Sequence, residues 1–377
     1  MRRKMNVDLK QIAARTIGRA AVSPADAALK AELKAARLSP HDSSAVANLV
    51  FSYFRWRGWL NPAEALSLQF DRAWDLERRF AEAPESFSDD ELIRAVPAWA
   101  ANEISFTREW LVSLQTPPIL WLRSKRGRRA ELADKLGDCV PGVEPATDAL
   151  QYHGSTDLFR SPEFHAGEFE VQDIASQLVG IACDPNPGET WWDACAGEGG
   201  KLLHLSELMN NKGLIWASDR SERRLTVLRR RAARAKVYNY RASSWEGGEK
   251  LPTKTKFDGV LIDAPCSGAG TWQRNPHARW TTTMQDVQEL GEVQQGLILN
   301  AAASVKPGGK LIYAVCTLTK RETDAVADLC SQKLGGFESF CLPAWPNEPP
   351  ATSDRKWIWP QTFRGNGMFL AAWRRAS

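Results

Sequence analysis

The chain has 377 residues, of which 43% are hydrophobic and 25% are charged, and its formal net charge is +4. These proportions are typical of a soluble globular protein, and the length predicts two or three domains rather than one. No apolar run approaches the length that spans a membrane, so the composition excludes an integral helical membrane protein.

The cysteines and histidines indicate the redox state of the compartment and whether a metal is bound. Seven cysteines without Cys-x-x-Cys spacing argue against a disulfide framework and indicate a reducing compartment. Five histidines show no metal-ligand spacing, so no metal is expected. The start, Met1-Arg2-Arg3-Lys4, is not followed by an apolar signal segment. We expect a cytoplasmic monomer that binds neither membrane nor metal.

Residues 1–116 show helical patterns and no strand signal. Ser23-Pro24 predicts a helix start with a capping serine. Ser39-Pro40 interrupts the pattern, and helical spacing recurs from Leu66 to Phe80 and from Asp89 to about Leu114. We therefore expect a small helical domain over 1–116.

Residues 117–168 are predicted to form a small mixed α/β unit. Pro117-Pro118 marks its start, a strand is expected over 119–122, and a short helix over 130–136. A basic cluster in this unit is a candidate RNA-binding surface and consists of Arg123, Lys125, Arg126, Arg128 and Arg129.

From residue 169 to 377, candidate strands and helices alternate. The strands are expected at 190–193, 214–218, 237–240, 260–262 and 310–315. The helices are expected at about 170–182, 200–210, 221–235, 284–304 and 321–334, with Pro307-Gly308-Gly309 ending the fourth helix. This alternation predicts a doubly wound α/β sheet.

A second basic stretch lies between Arg220 and Arg241. It has nine basic side chains, against Glu222 as the only acid. Such a stretch suits a phosphate backbone, and a solvated helix face is an equally good interpretation of the pattern alone.

A glycine-rich turn follows the first strand of the predicted sheet. Its candidate cofactor-binding residues are Cys195, Ala196, Gly197, Glu198, Gly199, Gly200 and Lys201. Glycines let the backbone approach a ligand closely, although a purely structural tight turn stays an alternative. Asp219 ends the next strand, where a carboxylate can accept hydrogen bonds from ribose hydroxyls. The pattern suits NAD or S-adenosylmethionine equally well, and the absence of a P-loop disfavours ATP.

Two cysteines each follow an apolar run that is typical of a buried strand. Cys266 follows Asp263-Ala264-Pro265, and Cys316 follows Tyr313-Ala314-Val315. Because parallel strands end at the same edge of an open sheet, we expect both thiols and Asp263 beside the cofactor turn. A buried cysteine is more commonly a small apolar residue, which is our interpretation of Cys139, Cys183, Cys330 and Cys341.

An acid and two thiols beside a methyl donor suit methylation of carbon 5 of a pyrimidine. Carbon 5 is a poor nucleophile, and addition of a thiolate to carbon 6 makes it reactive as an enamine. A carboxyl group near the ring nitrogen and exocyclic amine stabilises the charge that develops. The carbon 5 proton must then leave and the thiol must be expelled, and a second thiol can assist this step. A redox-active cysteine pair stays an alternative, although the spacing does not resemble known dithiol motifs.

At these residues the chain resembles the RNA (cytosine-5)-methyltransferase family. Four segments carry the likeness in the family's order: Gly167–Asp173 with Ser176-Gln177, Asp193–Lys201, Asp263–Gly270 with Arg274-Asn275-Pro276, and Tyr313–Thr317 followed by Glu322. The resemblance implies that Cys316 is the nucleophile and that Cys266 is needed for product release. It also implies that Asp263 contacts the target cytosine and that Lys201 lies beside it.

The same resemblance implies S-adenosylmethionine as cofactor and RNA as partner. The implied cofactor contacts are the turn residues 195–201, Asp219, Arg224 and Asp263, and Arg274 joins the expected RNA contacts. No metal is implied.

The amino-terminal helices and Pro118–Arg123 resemble the bacterial ribosomal RNA small subunit methyltransferase B branch of that family. This likeness implies a Rossmann-like methyltransferase domain, an all-α NusB-like amino-terminal domain and a small α/β RNA-binding unit. It favours ribosomal RNA as substrate. The alternatives are a tRNA-directed enzyme, a non-catalytic RNA-binding or ribosome-assembly factor, and a NAD-dependent oxidoreductase, which the glycine spacing disfavours.

Overall fold

A computed structural model describes residues 7–345 and 353–377, so the expectation drawn from Met1-Arg2-Arg3-Lys4 lies outside the described residues. The chain forms two compact units. The first consists of the residues up to Pro117 together with Thr271–Met284, and the second of Pro118–Gly270 together with Gln285–Ser377. The expected domain boundaries at 116/117 and 168/169 stay predictions.

The first unit is helical, as expected. Up to Pro117 its helices are α1 (Val7–Arg19), α2 (Ala25–Ala36), α3 (Pro40–Trp56), α4 (Leu66–Glu82), α5 (Asp89–Leu92), α6 (Ala100–Glu103) and α7 (Arg108–Gln115). The pattern from Asp89 to Leu114 thus forms three short helices, because Pro97 cannot donate a backbone hydrogen bond between the first two. Ser23 does not cap α2, since its hydroxyl donates to the Arg19 carbonyl and Pro24 is the N-cap residue.

The segment Thr271–Met284 belongs to the helical unit although it lies far along the chain. Arg279 anchors it. This guanidinium is fully buried and donates to the carbonyls of Arg55, Ala95 and Leu114. Of the segments that carry the family resemblance, Asp263–Gly270 therefore belongs to the second unit and Arg274-Asn275-Pro276 to the first.

The second unit begins with a four-stranded antiparallel sheet. Its elements are β1 (Leu120–Ser124), α8 (Arg129–Leu136), β2 (Cys139–Pro141), β3 (Ala149–Tyr152), α9 (Pro162–His165) and β4 (Phe169–Val171), and the strand order is β2-β3-β1-β4. One strand and one helix were expected here. The other strands have only three or four residues, which is too short for a clear alternating pattern.

The larger sheet of this unit contains eight strands. Its elements, in chain order, are α10 (Ile174–Cys183), β5 (Thr190–Asp193), α11 (Gly200–Leu208), β6 (Leu214–Asp219), α12 (Glu222–Ala235), β7 (Tyr240–Ser244), β8 (Phe257–Asp263), α14 (Met284–Ala302), β9 (Val305–Val315), α15 (Asp324–Lys333), β10 (Phe337–Ser339), β11 (Arg355–Ile358), α16 (Pro360–Phe363) and β12 (Met368–Arg375), while α13 (Ala278–Thr281) falls in the helical unit. The strand order is β10-β12-β9-β8-β5-β6-β7, and β11 pairs with β12.

This sheet confirms the doubly wound α/β class. Strands β5 to β9 are mutually parallel where they pair, and β12 runs antiparallel beside β9. Large buried side chains fill both faces, among them Trp191 and Trp192 on successive positions of β5. Within the described residues, no helix is long and apolar enough to cross a membrane.

Two expected boundaries were wrong. The strand expected at 237–240 lies at Tyr240–Ser244, because Lys236 has a left-handed conformation and the Val237 N–H bonds back to the Ala232 carbonyl. Pro307-Gly308-Gly309 does not end a helix, because α14 stops at Ala302. These three residues instead form an irregularity within β9 opposite the start of β8.

The parallel strands carry the candidate site residues to one edge. Strands β5, β6 and β8 end at Asp193, Asp219 and Asp263, and Cys316 directly follows β9. Since parallel strands end together, three carboxylates and a thiol meet at the carboxyl edge of the sheet.

Candidate active site

The cofactor turn joins β5 to α11 in a conformation that requires glycine. Gly197 and Gly199 have positive φ angles of 54° and 87°. A Cβ on Gly199 would lie 2.8 Å from the Leu228 Cγ, so a side chain there would push α12 away. The turn therefore packs closely against α12 and opens helix α11, whose first N–H groups point toward the sheet edge.

Asp219 binds this turn directly. Its Oδ2 accepts a hydrogen bond of 3.0 Å from the Gly197 N–H, and its Oδ1 accepts one of 2.8 Å from the Ser221 N–H. The Arg224 guanidinium lies 3.4 Å from Asp219 Oδ2 and close to Gly197. The structure thus brings together Asp219, Arg224 and the turn, as the sequence predicted.

A buried series of side-chain hydrogen bonds, from Arg123 through Gln172, fixes the carbonyl of Gly200. The Gln172 side chain donates to the Gly200 carbonyl at 3.1 Å and accepts a bond of 2.7 Å from Arg123 Nε. Arg123 is only 3% exposed and also pairs with Glu207 on α11. This placement corrects the expectation that Arg123 lies on an RNA-facing surface: its guanidinium is already occupied and supports the cofactor turn.

Lys201, which is buried, and Asp263, which is partly exposed, form an ion pair at the edge of the sheet. Lys201 Nζ lies 2.7 Å from Asp263 Oδ2 and donates to Ser176 Oγ at 2.8 Å. Burial alone would lower the pKa of Lys201, but the charge and hydrogen bond of Asp263 outweigh it and raise the pKa. Lys201 therefore stays a cation, and Asp263 is held in one orientation.

The thiols of Cys266 and Cys316 are in contact. Their sulfur atoms lie 3.3 Å apart. The hydrogen bond with Cys266 lowers the pKa of Cys316, against the effect of burial, and the positive charge of Lys201 acts in the same direction. The same hydrogen bond, together with burial, raises the pKa of Cys266 well above the ordinary value. The pair therefore favours a Cys316 thiolate that accepts a hydrogen bond from the Cys266 thiol.

Glu322 ties the two cysteine-bearing loops together. Its carboxylate is fully buried and accepts hydrogen bonds from the Ser267 N–H at 2.8 Å and from the Thr319 hydroxyl at 2.8 Å. Thr317 and the amide of Gln294 donate to it as well. Ser267 follows Cys266 and Thr317 follows Cys316, so this one carboxylate sets the separation of the thiols.

Asp193 is a buried acid at this edge that the sequence analysis did not single out. Burial, and then the charge of Asp263, raise its pKa to about 7. The Leu202 N–H opposes this shift, but neither carboxylate oxygen makes a hydrogen bond of good geometry. The signal in the sequence was the same as for Asp219 and Asp263: an acid at the last position of a parallel strand.

The other residues expected to contact RNA differ in their exposure and in whether their side chains already have a partner in the protein. Arg126 is exposed, Arg128 pairs with Glu131, and Arg129 donates to the Gly142 carbonyl. Lys125 is partly buried and donates to the Ala235 carbonyl at 2.9 Å. Arg274 is exposed and lies in the helical unit. Their role in RNA binding stays a prediction.

The basic stretch from Arg220 to Arg241 divides into two groups. Arg231 and Arg234 both pair with the buried Glu170, so they are structural. Among the described residues, five of the remaining cations are exposed and have no ion-pair partner: Arg220, Arg223, Arg230, Lys236 and Arg241. No group of acids, histidines and cysteines suited to a metal ion occurs in the described part of the chain.

The features of this site are typical of a Rossmann-like methyltransferase. They are a doubly wound sheet, a glycine turn after its first strand, an acid at the end of the following strand, and a thiol at the same edge. The family described as "16S rRNA methyltransferase RsmB/F" matches residues 180–374, and the chain belongs to this family.

Several named proteins are similar to this chain. It is 33% identical over 274 residues to the Bacillus subtilis (strain 168) protein named "Probable ribosomal RNA small subunit methyltransferase B", covering 69% of this chain and 60% of that protein. It is 32% identical over 249 residues to ribosomal RNA small subunit methyltransferase F of Aeromonas salmonicida (strain A449), covering 63% and 52%. The chain thus spans between half and two thirds of the length of these relatives.

Solved structures share the fold. The crystal structure of PH0851 superposes with a TM-score of 0.79 at 22% identity and covers 99% of this chain and 100% of that chain. A methyltransferase homologue from Pyrococcus horikoshii gives a TM-score of 0.60 at 26% identity and covers 71% and 90%. These comparisons confirm the Rossmann-like fold, while the NusB-like character of the amino-terminal helices stays a prediction.

Proposed function

We propose that this chain transfers a methyl group from S-adenosylmethionine to carbon 5 of a cytosine in ribosomal RNA, through a covalent bond between Cys316 and the base. One observation carries the proposal. The Cys316 sulfur lies 3.3 Å from that of Cys266, at the sheet edge that also holds the Lys201–Asp263 ion pair and the glycine turn. Membership of the RsmB/F family supports the same activity.

The residues at the turn fit this cofactor. The glycine turn opens helix α11, whose first backbone N–H groups have no partner within the helix, and the Asp219 carboxylate has lone pairs left for ribose hydroxyls. Asp193 is a buried carboxyl without a well-formed hydrogen bond, as expected where a donor group of a ligand completes the site. When bound, S-adenosylmethionine supplies an electrophilic methyl group on its sulfonium.

The chain's own residues account for the remaining chemistry. The Cys316 thiolate adds to carbon 6 of the cytosine, and the pair of electrons displaced from the double bond makes carbon 5 nucleophilic. Asp263, held by Lys201, faces the ring nitrogen and exocyclic amine and stabilises the adduct. After methylation, the carbon 5 proton passes to a base that Cys266 positions, the electrons of the C–H bond restore the double bond between carbons 5 and 6, and the carbon–sulfur bond breaks to restore the Cys316 thiolate.

Ribosomal RNA is favoured by the names of the relatives. The Bacillus subtilis and Aeromonas salmonicida proteins are named for the small ribosomal subunit, and a human relative, 29% identical over 290 residues, is named 28S rRNA (cytosine(4447)-C(5))-methyltransferase. The target base has to leave its stack before Cys316 can reach carbon 6. We expect the chain to act as a cytoplasmic monomer.

Methyl transfer to RNA from a strain that lacks the gene tests the proposal. The purified chain is incubated with S-adenosylmethionine carrying a labelled methyl group, and either ribosomal RNA or tRNA from that strain. We expect label in 5-methylcytidine from ribosomal RNA only, with bisulfite sequencing locating the site. Label in tRNA would redirect the substrate assignment, and absence of 5-methylcytidine from both RNAs would overturn the activity and favour a non-catalytic assembly factor.

A further inference from the structure

A shallow cavity beside strand β7 combines an exposed aromatic ring with arginine side chains. The cavity measures about 410 Å³ and is lined by residues that include Arg229, Tyr238, Tyr240 and Arg241. Tyr238 is 75% exposed, which is unusual for a large side chain. The volume falls in the range of about 300–1,000 Å³ that is typical of small-ligand sites.

The cavity lies at one end of a row of free cations. Helix α12 has 14 residues and is therefore about 21 Å long. Arg223 and Arg230 are seven positions apart, so they share one face of this helix, and both are exposed without an ion-pair partner among the described residues. Arg220 precedes the helix directly after Asp219, at the cofactor edge, and Tyr238 follows the other end.

We propose that this surface binds single-stranded RNA, with one unpaired base stacked on Tyr238 and phosphates held along α12 by Arg223 and Arg230. The inference rests on the proposed function and deepens it, because it assigns a path to the RNA that flanks the target base. An aromatic platform joined to a basic groove is the combination by which proteins hold single strands without base specificity. The surface lies entirely within the second unit.

Charge supports an RNA strand over a protein partner. Among the described residues, Arg220, Arg223, Arg230, Lys236 and Arg241 have no ion-pair partner, and Glu222 already pairs with Arg229. By contrast, Arg231 and Arg234 are neutralised by Glu170. The unpartnered cations remain available to a polyanion.

Equilibrium binding of a labelled single-stranded RNA of about 12 nucleotides tests the proposal, with cofactor absent and anisotropy as the readout. We expect Tyr238→Ala to raise the Kd about 5- to 100-fold, and Tyr238→Phe, which keeps the stacking ring, to stay within twofold of the unmodified chain. Arg223→Gln combined with Arg230→Gln should reduce the slope of log Kd against log salt by about 1.4, since each single-strand phosphate contact contributes about 0.7.

Lys333→Glu is the matched control. Lys333 is an exposed cation at the end of α15, and it precedes β10 at the opposite end of the sheet from β7. Three results would each overturn the proposal. Tyr238→Ala binds the single strand within twofold of the unmodified chain, or Lys333→Glu raises the Kd as much as Tyr238→Ala does. The third is that Tyr238→Ala raises the Kd for duplex RNA as much as the Kd for the single strand. A dimer that Tyr238→Ala converts to monomers, with unchanged RNA affinity, would instead assign this surface to self-association.

Methyl transfer by the same variants is measured in parallel. If the chain binds RNA through Tyr238 but labels no cytosine, the proposed function fails while this surface stands. If it labels cytosine and Tyr238→Ala changes neither Kd nor KM for RNA, the surface fails while the proposed function stands.

Discussion

The sulfur atoms of Cys266 and Cys316 lie 3.3 Å apart although 50 positions separate the residues in the chain. They come from loops that follow adjacent parallel strands, β8 and β9, and Glu322 fixes those loops to each other. A thiol that donates to a neighbouring thiolate stabilises the charge on that neighbour. The contact therefore gives the two cysteines different protonation states and different chemical tasks.

Replacing each cysteine should separate the two tasks. We expect Cys316→Ala to abolish methyl transfer, because the neighbouring Cys266 has a raised pKa and does not supply the thiolate that adds to carbon 6. We expect Cys266→Ala to form the bond to carbon 6 but fail to release the product. The measurement is denaturing electrophoresis of the chain after incubation with ribosomal RNA and S-adenosylmethionine, in which Cys266→Ala alone should show a shifted band.

The double variant Cys266→Ala with Cys316→Ala serves as control and should show no shifted band. A shifted band from Cys316→Ala instead would exchange the two roles. Multiple turnovers by Cys266→Ala at the unmodified rate would remove Cys266 from the reaction.

Alkylation by iodoacetamide at a series of pH values should report the pKa of Cys316. The hydrogen bond from Cys266 lowers this pKa, so the rate at Cys316 should reach half its maximum at a lower pH than for an ordinary thiol. Cys266→Ala removes the donor, and the midpoint should then move to higher pH. Peptide mass spectrometry locates the modified cysteine, and an unchanged midpoint in Cys266→Ala would contradict the hydrogen-bond assignment.

The placement of the site at one edge could be predicted from the sequence. Short apolar runs ending in Asp219, Asp263 and Cys316 indicate parallel strands, and parallel strands bring their ends together. The glycine turn could be predicted for the same reason, because positive φ angles and close backbone approach both call for glycine.

The burial of particular basic side chains could not be predicted, because it depends on contacts between residues distant in sequence. Arg123 stands in a run of basic residues, and nothing local shows that Gln172 and Glu207 enclose it. Arg279 lies three residues after the Arg274-Asn275-Pro276 segment, and only the fold reveals that its guanidinium is buried among carbonyls of the helical unit. Charge patterns indicate surfaces only when no acid from another element neutralises them.

Glu322→Gln should disturb both stability and catalysis. The amide keeps the size of the side chain but replaces one acceptor oxygen with a donor, and buried donors such as the Ser267 N–H then lose their partner. We expect the free energy of unfolding to fall by about 1–3 kcal/mol. We also expect kcat to fall by a much larger factor than the factor by which KM changes. Urea unfolding and single-turnover kinetics measure the two effects.

Asp324→Asn provides the comparison for Glu322→Gln. Asp324 is a nearby acid on α15 whose ion pair with Arg355 is partly exposed, so its loss should cost about 0–1 kcal/mol at most. Equal effects of the two substitutions on kcat would show that Glu322 does not position the cysteine loops.

Arg123→Met should weaken cofactor binding, because it releases Gln172 and thereby the Gly200 carbonyl. It also leaves Glu207 without its buried partner, and breaking such a pair costs about 3–5 kcal/mol. Arg126→Met, at an exposed side chain nearby, should leave the free energy of unfolding and the Kd for S-adenosylmethionine unchanged. Calorimetric titration and urea unfolding measure both, and equal Kd values for the two variants would refute the supporting role of Arg123.

The substitution Asp193→Asn should raise the free energy of unfolding, relative to the unmodified chain, by an amount that grows as the pH rises. Burial and the charge of Asp263 raise the pKa of Asp193 to about 7, while an unfolded aspartate ionises near about 3.9. Below pH 4 both states hold the proton and no penalty exists. Between pH 4 and 7 the unfolded state releases its proton first, so the folded state loses stability by about 1.4 kcal/mol per pH unit, up to about 4 kcal/mol.

Asparagine does not ionise and escapes this penalty. The difference in the free energy of unfolding between Asp193→Asn and the unmodified chain should therefore shift in favour of the variant from pH 5 to pH 8, measured by urea unfolding without cofactor. All other groups titrate alike in both proteins and cancel in this difference. A difference that stays constant over this range would mean that Asp193 ionises as an ordinary carboxyl, and its burial would then have to be offset by the Leu202 N–H.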